Sequence, residues 1–139
     1  MRNGFLKRIL LVILAVLALC GGAGCGQANN TTEAEKMTYK SISAEEAKKI
    51  MDEQEEYLIV DVRRDDEYAQ GHVPGAILVP NETIREKAEE SLPDKDQLLL
   101  VYCRSGRRSK EASAVLAELG YSNVMEFGGI IDWPYEIEK

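Results

Sequence analysis

The sequence is poor in the residues that build metal sites and disulfide frameworks. Its 139 residues include a single histidine, His72, and three cysteines, Cys20, Cys25 and Cys103. Cys20 and Cys25 lie at the end of the N-terminal leader described below, and the one histidine and one free cysteine that remain cannot supply the ligands of a zinc centre. Three cysteines are also too few for the dense cross-linking of a small secreted scaffold. We therefore expect no bound metal and no cofactor, and a fold that depends on one hydrophobic core.

The sequence also lacks an apolar run long enough to cross a bilayer. The longest run, Ile9–Leu19, has eleven residues, whereas a spanning helix needs about 20. Three basic residues precede this run, and the small residues 21–24 follow it. This order of basic, apolar and small segments is typical of a secretory signal peptide. We therefore expect the protein to be extracytoplasmic.

The residues after this run resemble the lipobox of bacterial lipoproteins. Cys25 follows Gly22-Ala-Gly, although the family usually has leucine where Gly22 stands. The resemblance implies that residues 1–24 are a signal peptide and that Cys25 becomes the lipidated first residue, anchored to the bacterial membrane. Residues 26–38 are small and polar, as in a flexible tether. The alternative is a soluble secreted or periplasmic protein that is cut near the same position.

Negative charge dominates the remaining chain. The sequence has 24 acidic and 17 basic residues, and three of the basic residues lie in the leader, so the mature chain carries a net charge of −10. Such a chain does not bind nucleic acid nonspecifically, and we expect no nucleic-acid partner. Segment 104–108 is a local exception with three arginines. It predicts a small anionic substrate.

Strand and helix patterns alternate from Tyr39 onward. Strands are predicted at 57–62, 76–79, 97–102 and 123–127. One helix is predicted after the Ser43 capping box, and a short helix capped by Asp65 is predicted through Tyr68, with Gly71 ending it. Two longer helices are predicted over 81–91 and 107–119. This alternation predicts βαβ units, a parallel sheet and an α/β fold. Ligands of such sheets bind beyond the carboxyl ends of the strands.

Cys103 is predicted to lie at such a carboxyl end, in the turn between a strand and a helix. The unpaired N–H groups of the helix, its dipole and the arginines of segment 104–108 all favour thiolate over thiol. The same groups would also hold an anion. Because Cys20 would leave with the leader and Cys25 would be acylated, Cys103 becomes the only free thiol. We interpret it as a nucleophile rather than as a buried apolar residue.

Three sequence blocks resemble the rhodanese (thiosulfate sulfurtransferase) family in its single-domain form. The blocks are Val60–Arg63 with Glu67-Tyr68, Gly71–Ile77 and Cys103–Ser109, with Gly128-Gly129 and Trp133 as a weaker fourth. The resemblance covers residues 39–139 and implies a small parallel sheet flanked by helices on both faces. It also implies that sulfur moves from thiosulfate or a similar donor to a thiol or cyanide acceptor through a Cys103 persulfide.

The resemblance implies roles for each residue of the loop. The N–H groups from Arg104 to Arg108, including those of Ser105 and Gly106, would surround the sulfur and stabilise its negative charge. Gly106 would let the backbone curl around the sulfur without a Cβ in the way. Arg104 and Arg107 would grip the sulfonate of the donor. Arg108 would either join them or bond the loop's own carbonyl groups.

Residues outside the loop are expected to have supporting roles. Asp61 and Arg63 either orient the loop from behind it or form a plain ion pair. His72 is expected to belong to the scaffold, since a thiol at a helix N-terminus needs no general base. Tyr102 and Trp133 are expected to pack in the core or at its rim.

Three other functions compete with sulfur transfer. Related phosphatases use a cysteine and an arginine separated by five residues, which would place the arginine at position 109, where Ser109 stands. Arg108 comes one residue early, and this shorter loop favours sulfur over phosphate or arsenate. A persulfide carrier and a non-turnover binding module, each serving a protein partner at the cell envelope, stay open as alternatives.

Overall fold

The computed structural model describes residues 38–139, which form five strands and four α-helices. In chain order they are β1 (Lys40–Ser41), α1 (Ala44–Glu53), β2 (Tyr57–Asp61), α2 (Asp65–Gln70), β3 (Ile77–Leu78), α3 (Ile84–Ser91), β4 (Leu98–Cys103), α4 (Arg107–Glu118) and β5 (Val124–Gly129). Short 3-10 helices at Asn81–Thr83 and Ile130–Asp132 precede α3 and follow β5.

The strands form one parallel sheet in the order β1-β5-β4-β2-β3. The central strand β4 is buried at all six of its residues, which is why its sequence is a continuous apolar run rather than an alternating one. The sheet confirms the predicted α/β fold. It also brings the carboxyl ends of β2, β4 and β5 to a common edge, where the loop after Cys103 begins.

Helices cover both faces of the sheet, as predicted, and each face has its own core. Successive side chains of a strand point to opposite faces, so Cys103 and Tyr102 belong to different cores. One core packs β-strand residues against α3 and α4 and includes Val101, Cys103, Ala112 and Leu116. The other packs against α1 and includes Ala47, Leu100, Tyr102, Phe127 and Trp133.

Two of the predicted helix starts can be compared with the structure. The Ser43 capping box is confirmed, because the Glu46 amide donates to Ser43 Oγ at 3.1 Å and the Ser43 amide donates to the Glu46 carboxylate at 2.9 Å. The predicted cap at Asp65 is wrong by one residue: Arg64 is the N-cap, and Asp65 is the first helical residue. Its carboxylate still lies in the first turn, where the helix dipole favours negative charge.

Other differences lie at the ends of elements. The strand predicted over residues 97–102 ends one residue too early, since β4 includes Cys103. The strand β1 was not predicted, because its two exposed residues carry no apolar pattern. Part of the predicted helix 81–91 is a 3-10 helix.

The predicted signal peptide, Cys25 and the tether up to residue 37 lie outside the described residues. Within residues 38–139, no helix is long and apolar enough to cross a membrane.

Candidate active site

Cys103 is the last residue of β4, and its side chain is wholly buried. The chain turns through residues 104–106 and enters α4 at Arg107. The backbone N–H of Gly106 donates to Cys103 Sγ at 3.0 Å. The sulfur therefore lies at the amino end of a twelve-residue helix, with one main-chain donor already directed at it.

The loop around the sulfur rests on the end of β5. Gly106 has a φ of 98°, a left-handed conformation that favours glycine. A Cβ added to Gly129 would lie 2.1 Å from the carbonyl oxygen of Arg104, which is much closer than atoms can approach. The Ile131 amide also donates to that oxygen at 3.3 Å. The backbones of the loop and of β5 are therefore in direct contact.

Ser109 lies beside the sulfur on the first turn of α4. Its Oγ is 3.7 Å from Cys103 Sγ, and the residue is completely buried. The Oγ is also 3.1 Å from a carboxylate oxygen of Glu126, a buried residue of β5. Sequence reasoning missed Glu126. The sequence signal that could have identified it is a charged residue two positions after Val124, on the face of β5 that should be apolar.

Arg108 binds Glu67 of α2 rather than the carbonyl groups of the loop. Its Nη1 and Nη2 donate to the two carboxylate oxygens at 2.7 and 2.8 Å. This hydrogen-bonded guanidinium lowers the pKa of Glu67 to about 2, although partial burial opposes the shift. The same pair raises the pKa of Arg108 above its ordinary value. The ion pair is therefore charged on both sides at neutral pH.

A cleft of about 310 Å³ lies over the loop. Its walls are made by Arg64, Glu67, Glu82, Arg104, Ser105, Arg107 and Arg108. Arg107 donates to Glu111 at 2.7 Å, one turn along α4. The guanidinium of Arg104 makes no ion pair or hydrogen bond within residues 38–139 and is exposed. Four of the five predicted binding residues thus line one cleft, whereas Gly106 is buried and does not line it. Cys103 is buried as well and is not part of the cleft wall. Arg104 is the cation that is left for an anion.

Asp61 and Arg63 form a buried ion pair on the other face of the sheet from Cys103. Arg63 donates to both carboxylate oxygens of Asp61 and to the Gly71 carbonyl at 2.8 Å. Burial alone would lower the pKa of Arg63, but the hydrogen bond and charge of Asp61 raise it. Neither side chain hydrogen bonds to residues 104–109 in the described structure. Their contacts fix the loop that follows α2.

The Tyr102 hydroxyl extends this ion pair into a network. It donates to Asp61 at 2.6 Å and accepts from the Val73 amide at 3.0 Å. Burial and the adjacent Asp61 charge raise the pKa of Tyr102 far above its usual range. Because the hydroxyl stays protonated, it can satisfy the carboxylate and the amide together. The network therefore stabilises the fold beneath the loop that follows α2.

His72 faces the carboxyl terminus of the chain. Its ring stacks on Tyr68 with 3.7 Å between the ring centres, and its Nε2 lies 3.4 Å from Glu138. The main chains of His72 and Glu138 also exchange two hydrogen bonds. These contacts belong to the scaffold. Within residues 38–139, no group of three or more His, Cys, Asp or Glu side chains is arranged to hold a metal ion.

This fold and this loop define a rhodanese-like domain, and the model of that family matches residues 43–134. The chain therefore belongs to the rhodanese family, as the sequence blocks predicted. It is 41% identical over 73 residues to the thiosulfate sulfurtransferase PspE of Escherichia coli K12, covering 52% of this chain and 70% of that protein. It is 39% identical over 93 residues to a sulfurtransferase of Allochromatium vinosum, covering 66% and 85% respectively.

A solved structure gives the same result for the fold. The chain resembles a structure described as rhodanese with anions from E. coli, with 37% sequence identity and a TM-score of 0.56. The similarity covers 60% of this chain and 98% of that chain. The part of the sequence that is similar is therefore the domain, in agreement with the residues that the family model matches.

Proposed function

We propose that the protein is a sulfurtransferase that moves a sulfane sulfur from thiosulfate, or a similar donor, to a thiophilic acceptor through a persulfide on Cys103. The observation that carries the proposal is the Gly106 N–H at 3.0 Å from Cys103 Sγ, beneath a cleft lined by arginines. The names of the relatives, thiosulfate sulfurtransferase and sulfurtransferase, support the same chemistry.

The reaction would proceed in two displacement steps at sulfur. The Cys103 thiolate attacks the outer sulfur of thiosulfate, the S–S bond of the donor breaks, and sulfite leaves with the bonding electron pair. The enzyme then carries a persulfide. An acceptor such as cyanide or a thiolate attacks the terminal sulfur, the Cys103 S–S bond breaks, and the thiolate is regenerated. Covalent catalysis of this kind divides one transfer between two easier steps.

The loop residues would assist both steps through charge. The Gly106 N–H donates to the sulfur that bears negative charge at the start and at the end of the cycle, as donors of an oxyanion hole do. Arg104 would hold the sulfonate oxygens, since its planar guanidinium matches an oxyanion and has no acidic partner in the described structure. The cleft of about 310 Å³ has room for a small anion.

Mass spectrometry of the intact protein after incubation with thiosulfate tests the proposal. We expect a gain equal to one sulfur atom that maps to Cys103 and that is removed by cyanide with release of thiocyanate. The Cys103→Ser variant is the matched control and should gain nothing. An unchanged mass in the wild-type protein, or a gain that persists in Cys103→Ser, would refute the assignment.

The same experiment, together with a phosphatase assay, separates the proposed sulfurtransferase from the other functions. A persulfide carrier for a protein partner should load with sulfur yet form thiocyanate slowly. A binding module without turnover should not load. A phosphatase should hydrolyse p-nitrophenyl phosphate in a reaction that Cys103→Ser abolishes. We expect rapid loading, rapid thiocyanate formation and no such hydrolysis.

We also propose that the protein acts outside the cytoplasm, anchored through a lipid on Cys25. The support is the order of basic, apolar and small residues before Cys25 and the polar segment after it. Labelling of growing cells with an alkyne-tagged palmitate should mark the wild-type protein and not Cys25→Ala. Globomycin should cause the unprocessed form to accumulate. An unlabelled wild-type protein in the culture medium would contradict the anchor.

A further inference from the structure

Glu126 is a buried carboxylate that the sulfur-transfer mechanism does not use. It lies on β5, faces α4 on the same side of the sheet as Cys103, and is 2% exposed. Within residues 38–139, no lysine, arginine or histidine forms an ion pair with it. Burial of a carboxylate is costly unless hydrogen bonds satisfy it. The hydrogen-bond donors around the Glu126 carboxylate therefore indicate its role.

Three donors satisfy Glu126, and two of them belong to the surroundings of Cys103. The Ser41 hydroxyl of β1 donates to Oε1. The Ser109 hydroxyl and the Gly128 amide each lie 3.1 Å from Oε2. One carboxylate oxygen thus joins the first turn of α4 to the end of β5. The other oxygen is held by the edge strand.

The Ser109 hydroxyl has one proton and three oxygen acceptors. These are the Gly106 carbonyl at 2.9 Å, Glu126 Oε2 at 3.1 Å and the Gly128 carbonyl at 3.3 Å. With its proton directed at oxygen, Ser109 presents a lone pair to Cys103 Sγ, 3.7 Å away. In its protonated form Cys103 can therefore donate to Ser109, whereas the donor to the thiolate is the Gly106 N–H. Glu126 takes part in fixing that orientation.

The Gly128 amide connects Glu126 to the floor of the loop. A Cβ added to Gly106 would lie 3.5 Å from Gly128 Cα, and one added to Gly129 would collide with the Arg104 carbonyl. The loop therefore rests directly on these two glycines. A displacement of Gly128 would move the surface on which residues 104–106 rest.

We propose that Glu126 is a positioning residue of the sulfur-transfer site, and this inference rests on the function proposed above. Together with two main-chain carbonyl groups it helps to set which side of the Ser109 hydroxyl faces the nucleophile, and through Gly128 it holds the floor under the loop. It acts through hydrogen bonds, so a neutral side chain that accepts the same bonds should replace it. It does not touch the substrate.

Two substitutions at this position separate hydrogen bonding from bulk and charge. In Glu126→Gln, the amide oxygen can accept from Ser109 and Gly128 while the amide nitrogen donates to Ser41. In Glu126→Ala, all three bonds are lost. Val124→Ala is the matched control, because Val124 is buried two residues earlier on the same face of β5 and contributes only to the core. It removes packing and leaves the loop contacts in place.

Steady-state kinetics with thiosulfate and cyanide provide the first measurement. We expect Glu126→Ala to lower kcat on the order of 10- to 100-fold, because small misplacements of a nucleophile have effects of that size. KM for thiosulfate should change less, since the arginines of the cleft stay in place. Glu126→Gln and Val124→Ala should keep kcat close to that of the wild-type protein. A wild-type kcat in Glu126→Ala, or an equal loss in Glu126→Gln or Val124→Ala, would overturn the proposal.

Hydrogen exchange gives a second measurement that does not depend on sulfur chemistry. The amides of residues 104–109 and 126–129 should exchange faster in Glu126→Ala than in the wild-type protein and in the two other variants. Equal exchange rates would count against the proposal. If the wild-type protein does not load sulfur, the proposed function fails while the exchange data still decide the role of Glu126.

Ser109→Ala keeps the proposal testable if Glu126→Ala does not fold. This change removes the hydroxyl between Glu126 and the sulfur without altering β5. We expect kcat to fall while KM for thiosulfate changes little. A wild-type kcat in Ser109→Ala would show that the hydroxyl does not transmit the effect.

Discussion

Arg108 and Glu67 form two hydrogen bonds, 2.7 and 2.8 Å long, that join the first turn of α4 to α2 across 41 positions of sequence. The pair forms one wall of the cleft over the loop that follows Cys103. Because Glu67 engages both terminal nitrogens of the Arg108 guanidinium, this arginine helps to shape the cleft and has little capacity left to bind an anion. The distribution of partners among the arginines therefore determines their separate roles.

The Glu67–Arg108 pair should make stability depend on acid. Arg108 lowers the pKa of Glu67 from 4.5 to about 2, so the stabilisation is complete above pH 4.5 and is lost as the pH falls through 2. We expect Glu67→Gln to be less stable than the wild-type protein at pH 6 by about 1–2 kcal/mol, a range that allows for solvent screening. Urea unfolding at a series of pH values measures the difference.

The difference between wild type and Glu67→Gln should shrink between pH 4.5 and pH 2. Glu89→Gln is a suitable control, since Glu89 pairs with Lys95 on the exposed surface. Its effect should be small at every pH. A difference that stays constant from pH 6 to pH 2 would show that Glu67 stabilises the fold through packing alone.

Arg104 and Arg107 should differ in their contributions to substrate binding. Arg104 has no acidic partner in the described residues, whereas Arg107 is paired with Glu111. A charged hydrogen bond to a ligand contributes about 1.5–3 kcal/mol. We therefore expect Arg104→Ala to raise KM for thiosulfate about tenfold or more and Arg107→Ala to raise it less than about threefold.

Thiosulfate saturation curves at fixed cyanide concentration give both KM values. Arg85→Ala serves as the control because Arg85 pairs with Glu118 in α4, outside the cleft. It should leave KM unchanged. Equal increases for Arg104→Ala and Arg107→Ala would mean that both guanidinium groups hold the donor and that the Glu111 pair opens on binding.

Gly129→Ala should disrupt the site through steric conflict. The φ of Gly129 is −128°, which alanine adopts easily, but the new Cβ would lie 2.1 Å from the Arg104 carbonyl oxygen. We expect kcat/KM to fall about 100-fold because the loop must move away from β5. The control is Gly120→Ala at the far end of α4, where φ is 94° and the nearest side-chain atom is 3.8 Å away. It should lose stability and keep its activity, and equal activity losses would contradict the contact.

Tyr102→Phe should lower stability without changing catalysis. The substitution removes a buried donor to Asp61 and leaves the Val73 amide without its acceptor. A buried polar group without a partner costs about 1–3 kcal/mol. Chemical unfolding should show a loss of that size. Because Tyr102 and Cys103 point to opposite faces, kcat should stay unchanged; a lower kcat would show that the Asp61–Arg63 pair orients the loop.

The sequence predicts those parts of the site that depend on neighbouring residues. The position of Cys103 at a strand end, the glycine at 106 and the start of α4 follow from patterns within a dozen residues, and the structure has them there. The parallel sheet follows from the alternation of strand and helix patterns. These features are local consequences of backbone and helix chemistry, which is why they are predictable.

Features that depend on distant pairing were not predicted. The partner of Arg108 lies 41 residues earlier, and nothing near Arg108 indicates Glu67 rather than a loop carbonyl. The strand β1 is defined by its pairing with β5 and not by its own two residues. The sequence does carry one signal for Glu126, because a charged residue occupies an inward position of a buried strand. Its donors on β1 and α4 can be assigned only from the folded chain.

The contact between Gly129 and the Arg104 carbonyl limits how the loop of this rhodanese-family protein can change in size. The loop after Cys103 packs main chain against main chain on the end of β5, so replacing side chains at the rim would alter charge without widening the loop. A larger reacting group, such as phosphate, would require an inserted loop residue together with a matching displacement of β5. Either change alone would leave a clash or a gap. Selection acting on single substitutions would therefore tend to preserve the short loop of this domain.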